Sequence, residues 1–145
     1  MELLEEILSR ENLNAAYLAV YRNKGAAGVD GVKINELKEH LKTHKEGILS
    51  VIRTRKYTPQ PVLRVEIPKE NGKKRKLGIP TVVDRVIQQA IAQVLSPIYE
   101  KQFSNSSYGF RPNRSCEMAV VRSLEIMNDG YDWIVAIDLE RFFDT

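Results

Sequence analysis

Five apolar residues in a row, Trp133-Ile134-Val135-Ala136-Ile137, end at Asp138 and lead into Leu139-Glu140-Arg141-Phe142-Phe143-Asp144. A carboxylate that closes a buried strand sits on rigid backbone at a sheet's edge, where it can meet a metal ion. Two-metal nucleotidyl transfer uses carboxylates placed in this way to hold Mg2+ against an attacking hydroxyl and a leaving oxygen. The simpler use of Asp138 is to cap the turn or helix after the strand. The local sequence leaves both open.

A second group with chemical potential runs from Arg64 to Pro80 and carries Lys69, Lys73, Lys74, Arg75 and Lys76 around Asn71-Gly72. A two-stranded ribbon can lower such cations onto a triphosphate, lysine acting as a point charge and arginine as a bidentate fork. Lysines also protect exposed strand edges from aggregation, and Lys73 and Lys74 beside the turn suit that use equally. In Tyr108-Gly109-Phe110-Arg111-Pro112 aromatics adjoin arginine, a pairing suited to base stacking and phosphate contact, or to plain core packing of the two rings. His40 and His44 stand one helical turn apart with no Cys or Asp near them, the pattern of a solvated helix surface. Asp84-Arg85 with Gln88-Gln89 reads as a hydrogen-bonding set on a helix surface.

The elements that must position these groups can be read from periodicity. Leu3, Leu4, Ile7 and Leu8, then Leu13, Ala16, Tyr17 and Val20, give helix over the first 22 residues, with a break near Ser9–Glu11 and Asn12 as the second cap. The glycine-rich stretch 23–31 is a loop. Helix resumes at Asn35 and runs to about Arg55, with a break expected at Gly47. Pro59 and Pro61 stop it. Val62, Arg64 and Glu66 alternate with Leu63, Val65 and Ile67 as in a strand, Asn71-Gly72 turns the chain, and Lys74–Ile79 returns. Thr81-Val82-Val83-Asp84 resembles a capping box and opens an apolar helix that Pro97 bends or restarts. Residues 103–113 form an irregular connection, Ser115 caps a final helix to about Asn128, and Trp133–Ile137 is a strand. The order is α+β, not repeating βαβ. A single strand at that end has nothing nearby in sequence to pair with, and unpaired backbone is costly when buried.

With 145 residues, 43% apolar and 28% charged, the chain has the composition of a folded domain. No apolar run reaches the roughly 20 residues that cross a bilayer, the start Glu2-Leu3-Leu4-Glu5-Glu6 is acidic where a secretory signal is basic, and Cys116 has no partner. These features point to the cytosol and away from membranes. The net charge of +3 is unevenly distributed: residues 53–76 hold nine cations against Glu66 and Glu70, while the segments on either side are slightly acidic. Clustered cations favour phosphate-rich partners.

In order and spacing, six stretches resemble reverse transcriptases encoded by group II introns and their bacterial relatives. They are Gly25–Gly31, Tyr57–Val62, Ile67-Pro68-Lys69 through Gly72-Lys73-Lys74-Arg75 to Thr81, Asp84–Gln88, Tyr108–Pro112 and Ala136–Asp144. The resemblance covers nearly the whole chain. It implies a right-hand polymerase: N-terminal helices and a template-closing loop over residues 1–31, fingers over 32–128 with a basic hairpin at about 62–79, and the start of the palm at 129–145. It further implies that Asp138 and the Leu139 carbonyl bind Mg2+, and that Lys69, Arg75 and Arg111 contact the incoming nucleotide. Phe143 would lie beneath its sugar. Arg64, Gly28, Asp30, Gly31, Phe110, Lys73 and Lys74 would face template and primer. Lys76 departs from the pattern, standing where many relatives have proline.

The partners so implied are an intron RNA template, a DNA or RNA primer and dNTPs, within a cytoplasmic ribonucleoprotein serving splicing and mobility, with a homodimer also among the candidates. Retron, diversity-generating and CRISPR-associated reverse transcriptases share the same chemistry, and a non-catalytic RNA-binding or dimerisation module is the alternative of a different class. The family's aromatic-x-Asp-Asp motif is absent from these 145 residues, so the chain alone is expected not to polymerise. Its apolar end, Ile134–Phe143, is expected to self-associate or to lack order.

Overall fold

The computed structural model describes residues 3–68, 72 and 74–139. Five helices and one hairpin follow in the order α1 (Leu3–Ile7), α2 (Arg10–Asn23), α3 (Leu37–Arg53), β1 (Leu63–Pro68), β2 (Lys74–Ile79), α4 (Val82–Glu100) and α5 (Cys116–Asn128). The mixed helical and antiparallel architecture agrees with the α+β expectation. The chain forms two compact units, Met1–Tyr99 and Glu100–Thr145.

The first unit is built on α2, α3 and α4. Ala16 and Val20 of α2, Leu37 of α3, and Val82, Val86 and Ala90 of α4 form one buried cluster. Their spacings, four residues apart in each of α2 and α4, put them on one face of each helix, which is why these segments fold against one another. The break between α1 and α2 falls where expected, but its cap is Ser9. The Ser9 hydroxyl accepts from the Asn12 amide at 3.3 Å. Asn12 instead spends its side chain on packing. Its Nδ2 donates to the carbonyls of Ile7 and Ala90 at 2.8 and 2.9 Å, and its Oδ1 accepts from Gln93 at 2.7 Å. The cap position and the third helical position were thus confused by one turn, and the longer polar side chain bridges to α4.

The expected break at Gly47 does not occur, nor does a restart at Pro97. Helix α3 begins at Leu37 and runs unbroken through Gly47, because Leu37, Leu41, Ile48 and Leu49 on either side tie both halves to the same apolar surface. That anchoring outweighs the cost of about 1 kcal/mol for a helical glycine. Helix α4 likewise continues through Pro97 to Glu100. A proline so near the end removes a single intrahelical bond from the final turn.

The hairpin is the one sheet among the described residues, with Leu63 opposite Ile79, Glu66 opposite Lys76 and Pro68 opposite Lys74. Opposite residues share a face, so Arg64, Glu66, Lys74 and Lys76 lie on one side, and Val65, Ile67, Arg75 and Leu77 on the other. In the second unit, α5 is capped as expected, the Ser115 hydroxyl accepting from the Met118 amide at 3.3 Å. The strand expected at Trp133–Ile137 is not formed: residues 131–139 are neither helix nor strand. A strand exists only through a neighbour that accepts its backbone bonds, and among the described residues none lies beside this segment. Its side chains stand in solvent, Trp133 being 95% and Ile137 86% exposed.

Candidate functional site

The N-terminus of α4 joins the two segments of the first unit that carry candidate binding residues. Asp84 is 2% exposed, and its carboxylate accepts three hydrogen bonds: from the Tyr57 hydroxyl at 2.6 Å, the Gln60 amide at 3.2 Å and the Thr81 hydroxyl at 2.6 Å. The Thr81 hydroxyl in turn accepts from the Asp84 amide at 3.1 Å, the cap bond that the Thr-x-x-Asp spacing predicts, while the carboxylate takes the Thr81 hydroxyl. Gln60 precedes β1 and Thr81 follows β2, so one buried carboxylate ties both feet of the hairpin. Burial, then the hydrogen bond to Asp84 and its negative charge, push the Tyr57 hydroxyl well above the ordinary tyrosine range.

The loop 24–31 rests on the same helix end. Arg85 donates to the Ala26 carbonyl, and its buried Nε has no partner among the described residues. A Cβ on Gly28 would stand 2.7 Å from the Thr81 Cα and 2.8 Å from its nitrogen, so only glycine lets the loop lie flat against the hairpin's return foot. Beyond this contact the loop turns outward. Gly31 adopts φ +70°, and Asp30 accepts from the Val32 amide at 3.2 Å, an Asx turn that leaves both residues exposed.

On the hairpin, Glu66 takes Lys74 in an exposed ion pair at 2.8 Å. Lys74 is therefore tethered across the ribbon, while Arg75 occupies the opposite face beside Ile67. Arg64 pairs with Gly78, a position without a side chain to cover it. Lys69 and Lys73 lie outside the described residues.

In the second unit Arg111 organises the connection after α4. Its guanidinium meets Glu100 at 2.7 Å and donates to the carbonyls of Ser104 and Ser107 at 2.7 and 2.8 Å. It also lies 5.2 Å from the Phe103 ring centroid, with only 7% of its side chain exposed. Hydrogen bonding to Arg111 lowers the Glu100 carboxyl below its usual range. Phe110, by contrast, is fully exposed and holds φ +55°. A bulky residue in left-handed backbone with its ring in solvent is uncommon. The core-packing alternative for Phe110 does not hold; Tyr108 is half-buried, 5.5 Å beneath the Arg114 guanidinium.

Asp138 is exposed, and its carboxylate accepts from the Leu139 amide at 2.9 Å. Among the described residues no three acidic, His or Cys side chains gather to hold a metal ion. One carboxylate and one neighbouring carbonyl do not complete the octahedral oxygen shell that Mg2+ requires. Phe143 lies outside the described residues. His44 is exposed and His40 half-buried, the two rings stacked at 4.4 Å and the His44 ring bonded to the His40 carbonyl, in keeping with a helix surface.

Asp84 and Arg85, expected on a helix surface, are respectively buried and half-buried. The Thr81-x-x-Asp84 spacing was the available signal; nothing local marks Tyr57 or Gln60 as its partners, since both arrive from more than twenty residues away.

The described residues thus hold a cation-bearing hairpin with a glycine loop seated at its base and, in the second unit, an aromatic-arginine turn. Residues 67–145 match the profile of the reverse transcriptase (RNA-dependent DNA polymerase) family, and the chain belongs to that family. It is 39% identical over 138 residues to the group II intron-encoded protein LtrA of Lactococcus lactis subsp. cremoris, covering 90% of this chain and 22% of that protein. It is 38% identical over 149 residues to protein YkfC of Escherichia coli (strain K12), covering 99% of this chain and 39% of that protein. The putative COX1/OXI3 intron 2 protein of Saccharomyces cerevisiae is 34% identical over 125 residues, covering 85% of this chain and 14% of that protein. The chain therefore spans well under half the length of these relatives.

Proposed function

We propose that this chain is the fingers and early palm of an RNA-directed DNA polymerase acting in group II intron splicing and mobility. The observation that carries the reading is the junction at Thr81–Arg85, where the basic hairpin and the glycine loop share one buried anchor. Two elements that must meet the same template-primer gain by being fixed to one point, because positioning is most of what a polymerase supplies to phosphoryl transfer.

In this reading Lys69 and Arg75 grip the triphosphate of the incoming dNTP, Arg64 stands near the templating base, and Lys73 and Lys74 follow the nucleic-acid backbone. Gly28, Asp30 and Gly31 close over template and primer. Phe110 supplies a stacking face, and Arg111 serves the nucleotide pocket by fixing the turn on which Phe110 stands. Phe143 lies beneath the sugar. Asp138 and the Leu139 carbonyl contribute part of an Mg2+ shell whose other ligands come from outside these residues. The partners are intron RNA, a primer and dNTPs in a cytoplasmic ribonucleoprotein.

The test has two arms. Primer extension by this chain alone, with RNA template, Mg2+ and dNTPs, is expected to give no cDNA; processive product would refute the assignment of inactivity. In the polymerase that contains these residues, Lys69→Ala with Arg75→Ala is expected to weaken dNTP binding by about tenfold or more, each charged contact contributing on the order of 1 kcal/mol, with a much smaller loss of RNA affinity. Equal losses favour a non-catalytic RNA-binding module.

A further inference from the structure

The first unit carries an open groove between α2, α3 and α4, with a volume of about 280 Å³. Its floor is aliphatic, from Leu13, Leu41, Ile48, Ile52, Val83 and Ile87. Its rim is cationic: Arg10, Lys38, Lys42 and Lys45 line it, and no carboxylate does. Lys38, Lys42 and Lys45 recur at helical spacing along α3, beside the apolar row Leu41, Ile48 and Ile52. Lys42 spends part of its charge on Glu39 at 2.8 Å; Arg10, Lys38 and Lys45 form no ion pair among the described residues.

We infer that this groove docks an acidic amphipathic helix of a partner protein. An apolar stripe at i, i+3, i+4 and i+7 matches the floor, and carboxylates flanking that stripe match the row of cations. The stretch of α3 from Lys38 to Ile52 is about 21 Å long at 1.5 Å per residue, enough to seat roughly four turns. Nucleic acid suits the rim better than the floor: its phosphates would find the lysines, but among the lining residues Tyr17, stacked on Tyr21, is the one ring and Asn14 the one amide beside a floor otherwise aliphatic. The cations from Lys38 to Lys45 along one edge, with an apolar floor that continues to Ile52, select a peptide.

The probe is a fluorescent amphipathic helix of 16 residues with leucine at the stripe positions and glutamate elsewhere, read by anisotropy against the whole chain. Binding is expected to be saturable, with a lysine-for-glutamate version about tenfold weaker at low salt. Lys38→Glu with Lys45→Glu changes only exposed positions, and is expected to reverse that preference while leaving the circular dichroism unchanged. Ile48→Asp is expected to abolish binding of both peptides. Indifference to peptide charge, or to the double lysine variant, overturns the proposal. So does a concentration-dependent dimer of the chain that the double variant dissociates and that excludes the peptide, since the occupant is then a second copy. An RNA oligonucleotide whose affinity falls with the double variant, in place of any peptide binding, overturns it equally.

Discussion

At the residue scale, Asp84 concentrates more of the first unit's polar order than any charged group of the hairpin. Removing it takes the acceptor from the Gln60 amide, from the half-buried Tyr57 hydroxyl and from the buried Thr81 hydroxyl, so Asp84→Ala is expected to cost about 3 kcal/mol in urea unfolding. Tyr57→Phe removes one partner and leaves two, for about 1 kcal/mol. The Tyr57 hydroxyl is held above its ordinary value of 10.0, so its contribution is complete below that pH and is lost as the pH rises beyond it. In an ultraviolet titration of the folded chain the Tyr57 ionisation should fall well above pH 10.0, and Tyr57→Phe should delete that step. Gly28→Ala offers a separate check, because the added methyl meets backbone that cannot swing aside. A loss of about 2 kcal/mol is expected, in the range of overpacked sites.

At the scale of elements, helices and hairpin were largely legible in the sequence and the capping details less so. The Thr81-x-x-Asp84 spacing and Ser115 announce the starts of α4 and α5, and Asn71-Gly72 announces the hairpin, because each depends on residues close in sequence. Ser9 against Asn12 was not decidable in that way: the choice turns on Ala90 and Gln93, some eighty residues distant. Gly47 misled for a related reason, since local propensity favours a break and tertiary anchoring prevents it. A Cβ there would meet nothing within 4 Å, so Gly47→Ala is expected to stabilise α3 by about 1 kcal/mol in thermal or urea unfolding. The Glu100–Arg111 pair predicts a pH effect of the opposite sense to Tyr57. A lowered carboxyl stabilises above its ordinary value of 4.5 and ceases to do so as the pH falls below it. Protection factors of the amides of residues 104–114, corrected for intrinsic exchange, should then fall in mild acid, and Arg111→Lys, which lacks the fork, should show the same loosening at neutral pH.

At the scale of the molecule, the family and the α+β class were readable from motif order, whereas the fate of the segment after α5 was not. Its apolar pattern is that of a strand, and the missing quantity is a neighbour, which no local pattern can reveal. Trp133, Ile134, Val135 and Ile137 each leave more than three quarters of their surface in solvent. Contiguous apolar exposure of this kind drives association. Sedimentation of the chain at rising concentration is expected to show self-association that Ile134→Asp with Val135→Asp suppresses; a monomer at all concentrations would contradict it.

The shared anchor beneath the hairpin has a mechanical corollary. A ribbon gripped at its feet and bare along its flanks behaves as a lever with its pivot at Asp84. From Leu63 to Pro68 the arm measures about 17 Å at 3.3 Å per residue, so a tilt of about 10° at the pivot carries its far end through about 3 Å. Movements too small to disturb the core can thus swing a cation near the far end, such as Arg75, through a comparable distance.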